Sequence, residues 1–315
     1  MTRALVVAAL MVIAPRAAAP QAGGATHVLL ITGLAAEPRF AKIFSAAAGA
    51  IDDAARGPWH VAAGNLVYLA EDPAADPVRI TGKATRAAVA QAFAELARRV
   101  HPGDVVLVFL LGHGSGEMAA SAVNLPGPDP TAADYAGWLA PLSAATVVFV
   151  NASSASGDFA PILAGPNRVI VTATRTAIER NESVFATFFA QGLVGTDADA
   201  DQDGRVSVLE AFNYARHQVA TAYESTNRLQ TEHAMLVDST GVASRVAFGG
   251  EAASSDPRVT ALVGERRILE SQVDSVRHLK NRMDSTTYQH SLEQLLLRIA
   301  TKTQAIKALQ SGSRP

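Results

Sequence analysis

The sequence predicts an α/β fold, a mostly parallel sheet with helices on both faces. Three observations carry that expectation. Short apolar runs recur along the chain, amphipathic stretches separate them, and Val105 to Leu111 is apolar at every position, as in a strand covered on both sides. Strands that alternate with helices imply parallel pairing through crossovers.

In chain order, His27 to Gly33 reads as a buried strand and Phe40 to Ile51 as a helix. Leu66 to Leu69 is the second strand. Thr85 to Val100 is the next helix, with Val89, Phe93, Leu96 and Val100 on one face. The strand Asp104 to Leu111 follows, then a helix over Thr131 to Leu142. Thr146 to Val150 and Arg168 to Thr172 are further strands, with a short helix between them. Such sheets hold their ligands beyond the carboxyl ends of the strands, so the residues just after each strand are where chemistry is expected.

At 315 residues and 49% hydrophobic, the chain can bury a substantial core. A formal net charge of −2 gives no pull toward nucleic acid. The absence of cysteine removes disulfides, thiolate metal sites and a cysteine nucleophile together. Residues 1–20 have the pattern of a secretory signal: Arg3, an apolar run from Ala4 to Pro15, and the small residues Ala17, Ala18 and Ala19 for cleavage. That run is too short to cross a bilayer, and no other stretch reaches membrane length. The expectation is an exported protein, periplasmic or extracellular, with its main domain over 21–250.

Residues 251–257 form a small, polar linker, and a charged helical stretch then runs to Gln310. Leu262, Leu269, Val276 and Met283 recur every seven residues. A second register holds Leu292, Ile299 and Ile306, with Leu295 and Leu309 beside it. Asp284-Ser285-Thr286 marks a break and an N-cap between the two, giving a helical hairpin or short coiled coil. Arg266 and Lys280 interrupt the seam. The hairpin over 256–309 could fold back on the sheet or pair with a second chain.

Asp199 to Glu210 fits the twelve-residue EF-hand template. Asp199, Asp201 and Asp203 supply carboxylates at positions one, three and five, and Gly204 allows the turn at six. The Arg205 carbonyl serves position seven, Val206 pins the loop, Ser207 stands at nine, and Glu210 closes the shell bidentately. Hard oxygens in this number suit Ca2+. Gly192 and Gly195 are expected to interrupt the incoming helix, which makes the site a modest binder.

Two strand ends carry the other chemistry. Gly112-His113-Gly114-Ser115-Gly116 follows one strand, and Asn151-Ala152-Ser153-Ser154-Ala155-Ser156-Gly157 ends the next. In a parallel sheet these tips lie side by side, bringing a base, hydroxyls and Gly-flanked amides together.

In these motifs the chain resembles the caspase/legumain group of cysteine peptidases. Members place a catalytic His in a Gly-His-Gly turn after the third strand. Their Cys lies in a Glu-Ala-Cys-x-Ser-Gly or Asp-x-Cys-x-Ser-Gly turn after the fourth. His113 matches the first motif; aligning Ser156-Gly157 puts Ser154 at the cysteine position, whereas aligning Ala152 puts Ser153 there. Thr172-Ala173-Thr174 with Glu182-Ser183 resembles the segment after the next strand in legumain-type enzymes. The resemblance spans residues 27–245 and implies a caspase-type three-layer sandwich with a groove for a peptide or protein ligand. It also implies a catalytic assignment of His113, Ser154 and the Gly114 amide. A serine hydroxyl is far less acidic than a thiol and needs a His oriented by a third group. No acid adjoins His113 in sequence, so the expectation is a pseudopeptidase, a calcium-bound binding or assembly module. A Ser154–His113 hydrolase and a structural protein that self-associates through its hairpin are the alternatives.

Overall fold

The computed structural model describes residues 24–201, 203–249, 257–278 and 283–311. The expected signal segment, linker residues 251–256 and Lys280 lie outside the described residues.

The strands are β1 (Thr26–Thr32), β2 (Leu66–Ala70), β3 (Gly82–Lys83), β4 (Val105–Leu111), β5 (Gly114–Ser115), β6 (Ala122–Val123), β7 (Thr146–Asn151), β8 (Arg168–Thr172), β9 (Val206–Ser207), β10 (Met235–Asp238) and β11 (Ala247–Phe248). The helices are α1 (Pro38–Arg56), α2 (Arg86–Arg99), α3 (Ala132–Leu139), α4 (Phe159–Leu163), α5 (Phe185–Val194), α6 (Val208–Ser225), α7 (Pro257–His278) and α8 (Ser285–Ser311).

One seven-stranded sheet runs β10-β8-β7-β4-β1-β2-β3, parallel throughout except for β10, which pairs antiparallel with β8. Alternation along each strand divides the core in two. Leu107, Phe109 and Leu111 of β4 face the layer of α1, α5 and α6; Val106, Val108 and Leu110 face α2, α3 and α4. Full burial of each such large side chain contributes about 1.5–3 kcal/mol, which is why the β4 run reads so uniformly apolar. The helices start where the sequence supplies caps. Thr85 accepts from Ala88 at the head of α2, and Thr131 with Asp134 forms a reciprocal capping box on α3.

From β1 the chain builds outward to β2 and β3, then returns to add β4, β7 and β8 on the other side. The strand order therefore reverses between β1 and β4. Open α/β sheets place ligands outside the carboxyl ends at such a reversal, and His113 is the second residue after β4.

The C-terminal segment is a hairpin of α7 and α8. Leu269 and Ile306 are buried, the remaining seam residues are half-buried, and Glu265 pairs with Lys302 at 2.5 Å across the helices. Asp284 caps α8 by accepting from the Thr287 amide at 2.9 Å. The hairpin contacts the main domain: Arg266 is buried against Asp203 of the Asp199–Glu210 loop. Among the described residues, no helix is long and apolar enough to cross a membrane.

Candidate functional site

β4 and β7 pair in register with Leu110 opposite Asn151, so the segments leaving them meet. The contact is close enough to require glycine. A Cβ on Gly114 would stand 2.2 Å from the Ser154 carbonyl oxygen and 2.9 Å from Ser153 Oγ. The Gly114 amide donates to Ser154 Oγ at 3.3 Å. The expected juxtaposition of the two tips is therefore present.

The hydroxyls differ in what they do. Ser153 is fully buried; its Oγ donates to Asn151 Oδ1 at 2.6 Å and its amide to the same oxygen at 3.1 Å. Ser156 Oγ shares a 3.3 Å hydrogen bond with Thr174 Oγ1, which also accepts from the Gly157 amide at 3.0 Å. None of the three serines caps α4. Ser154 is followed by Ala155 at φ +54°, a left-handed conformation that costs a side-chain-bearing residue roughly 1–2 kcal/mol. Two bonds hold it there. The Ala155 amide donates to the Glu179 carbonyl at 2.9 Å, and Ser121 Oγ donates to the Ala155 carbonyl at 3.2 Å.

His113 is placed by α1. Its ring meets Phe40 edge-on at 4.6 Å and Phe44 at 5.4 Å. Among the described residues the imidazole makes no hydrogen bond, and no carboxylate orients it. At the other end of β4, His27 lies 3.3 Å from Asp104. A histidine near these strand ends that does have an acid is His233, which sequence reasoning missed. Its Nδ1 lies 3.0 Å from Glu179 Oε1, while Glu179 Oε2 accepts from the amides of His233 at 2.9 Å and Arg175 at 3.1 Å. Those partners are 54 residues apart, and no spacing motif links them. Glu182 forms a 2.5 Å ion pair with Arg39, and Ser183 Oγ donates to Glu232 at 2.6 Å, so that segment serves α1 and the start of α5.

The second candidate is the loop between α5 and α6. The expected interruption at Gly192 is corrected, since α5 runs through it; Gly195 does end the helix, as the C-cap after Val194. Gly192 is the point where α5 crosses α6, since a Cβ there would lie 2.9 Å from the Tyr214 ring. Helix, loop and helix are thus all in place.

Carboxylate oxygens of Asp199, Asp201 and Asp203 lie within 4.8 Å of one another. Asp199 accepts from the amides of Asp203 at 3.0 Å and Gly204 at 2.8 Å, and Gly204 sits at φ +83°, as a sharp turn at position six demands. Glu210 spans the loop. One oxygen accepts from the Ala200 amide at 3.0 Å; the other takes the Ser207 amide at 2.8 Å and hydroxyl at 2.7 Å, completing a capping box on α6. Val206 is buried, and β9 pairs antiparallel with β11, setting Val206 opposite Phe248. The Arg205 side chain donates to the Ala247 carbonyl.

Asp201 is exposed at its surface. Even so, water withdrawn by the surrounding protein, together with the charges of Asp203 and Glu210, pushes its carboxyl up to about 6. Burial likewise raises Asp203, with Arg266 and Arg205 opposing that rise. A crowded set of hard oxygen donors fits a hard dication such as Ca2+.

No family model and no curated protein matches the chain. Among solved structures, the Geobacter sulfurreducens protein GSU0716 is similar at 12% identity, covering 74% of this chain and 96% of that one with a TM-score of 0.45. A likeness that distant bears on neither family nor function.

Proposed function

We propose that this protein is an exported caspase/legumain-like pseudopeptidase, a calcium-stabilised module that binds an extended peptide or protein segment at the strand ends without cleaving it. The Gly114–Ser154 hydrogen bond carries the reading. A hydrolase needs that amide for the developing oxyanion and the hydroxyl for its base. Here the amide is spent on the hydroxyl oxygen, while His113 lies against Phe40 and Phe44 and, among the described residues, has no acid to orient it. The converging carboxylates of Asp199, Asp201 and Asp203, with the Arg205 carbonyl, Ser207 and Glu210 at the template's remaining positions, support the calcium assignment, and residues 1–20 support export.

A second reading is an active hydrolase with Ser154 as nucleophile and His113 as base. The left-handed Ala155 directly after Ser154 favours it, because strained turns of this kind present nucleophiles. Incubation of the purified protein with a diverse peptide mixture separates the two. The expected result is an unchanged mixture; cleavage that disappears in Ser154→Ala would install the hydrolase.

A further inference from the structure

We propose that calcium binding at the Asp199–Glu210 loop and docking of the α7–α8 hairpin oppose each other through Arg266. The inference rests on the calcium reading above and adds its regulation. Arg266 is 4% exposed and lies 63 residues beyond the aspartate it meets. Its Nη2 stands 3.1 Å from Asp203 Oδ2, and both terminal nitrogens lie 3.3 Å from the Asp203 carbonyl oxygen. The other carboxylate oxygen of Asp203 accepts from the Arg205 amide at 2.7 Å. Both oxygens of the position-five ligand are thus already engaged, and a cation bonding to either must share it.

Asp203 also belongs to the cluster whose carboxylate oxygens lie within 4.8 Å of one another. A dication bound there would sit roughly 5 Å from the guanidinium, and at that range even the dielectric of bulk water leaves repulsion enough to weaken binding by roughly tenfold. The same carboxylates attract the arginine when calcium is scarce. Coupling of this kind is reciprocal, so calcium must weaken hairpin docking by the factor by which the docked hairpin weakens calcium. Low calcium then holds the hairpin against the loop, and high calcium loosens it.

Calorimetric titration of the full-length protein with calcium, beside Arg266→Gln, tests this. Glutamine keeps an N–H donor for the Asp203 carbonyl and removes the charge. The variant should bind calcium roughly tenfold more tightly. In the unmodified protein, amide hydrogen exchange in α7 should accelerate when calcium is added, a readout that stands even if the variant folds poorly. Equal or weaker calcium affinity in the variant, with the unmodified protein binding normally, would overturn the antagonism and leave the calcium site intact. Slower exchange in α7 with calcium would do the same. Calcium binding to neither protein would remove the site itself, and the antagonism with it.

Discussion

The Gly114 amide and the Ser154 hydroxyl meet at 3.3 Å, and this bond ties the exit of β4 to the exit of β7. The amide is the donor that an oxyanion would need free, whereas the hydroxyl only accepts here and keeps its own proton. The bond sits at the point where the strand order reverses, the place where open α/β sheets hold their ligands.

Gly114→Ala should destabilise the fold by about 1–3 kcal/mol, the usual cost of forcing a methyl into a filled site. Its Cβ would fall 2.2 Å from the Ser154 carbonyl, a backbone atom that cannot turn aside. Urea unfolding checks this, and an unchanged midpoint would show that the tips are not in contact.

Cysteine placed at the two serines should distinguish them. Ser154→Cys should be alkylated by an electrophilic peptide probe before Ser153→Cys. Both positions are buried, at 3% and 0% exposed, but Ser153 Oγ is held on Asn151 at 2.6 Å whereas Ser154 Oγ has only the 3.3 Å bond from the Gly114 amide. Adding His113→Ala to Ser154→Cys should change the rate little, since the imidazole is packed on Phe40 and Phe44. A large loss of labelling would mean that His113 reaches the sulfur.

Calcium at a hundred times its Kd should add about 2.7 kcal/mol to stability. Asp201→Asn should remove most of that gain while sparing the metal-free fold, because an amide oxygen can still accept from the Asp203 amide, now bonded at 3.0 Å. Glu210→Gln is less clean, since Glu210 also caps α6. Melting curves that coincide in calcium and in EDTA would refute the site.

Without calcium, stability should rise on mild acidification. Asp201 titrates at about 6 when folded and near 4 when unfolded, so the folded chain takes up the proton first. Its contribution is fully present below the unfolded value and is lost as pH rises through about 6. Denaturation midpoints in calcium-free buffer at several pH values should show this slope, and Asp201→Asn should flatten it.

Glu232 is 1% exposed and accepts from Ser183 Oγ, from the Val184 amide at 2.9 Å and from the Phe185 amide at 3.3 Å. Burial raises its pKa despite those bonds. Glu232→Ala would take the acceptor from the Val184 amide and the Ser183 hydroxyl, leaving the Phe185 amide its bond to Ser183 Oγ, and should cost about 1–3 kcal/mol per lost partner group. Glu232→Gln, which keeps an acceptor, should cost less. Equal stability of the alanine variant and the parent would contradict this capping role.

The sheet was legible because its strands are buried on both faces, which leaves an unbroken apolar signature from Val105 to Leu111. The helix starts at Thr85 and Thr131 were legible for a local reason: each residue caps its helix with donor and acceptor three residues apart. The four-residue edge strand β10 was not, since Met235 to Asp238 is only half-buried and pairs with a segment more than sixty residues earlier. Arg266 looked like a flaw in a heptad seam; its partner Asp203 is remote in sequence, and only packing connects them. Gly192 misled in the opposite direction. Glycine weakens a helix in isolation, but here it lets two helices approach closely.

The chain has two tryptophans, and the fold has separated them optically. Trp138 stacks on Phe93 and meets Tyr135 edge-on, within the layer of α2, α3 and α4. Trp59 lies on the opposite face with its indole 4.7 Å from the Phe248 ring, and Phe248 is the β11 residue directly across from Val206 in the acidic loop. Emission from Trp59 therefore reports on the β9–β11 pairing, one residue removed from the loop. With Trp138→Phe the protein becomes a single-fluorophore sensor of that loop, needing no label.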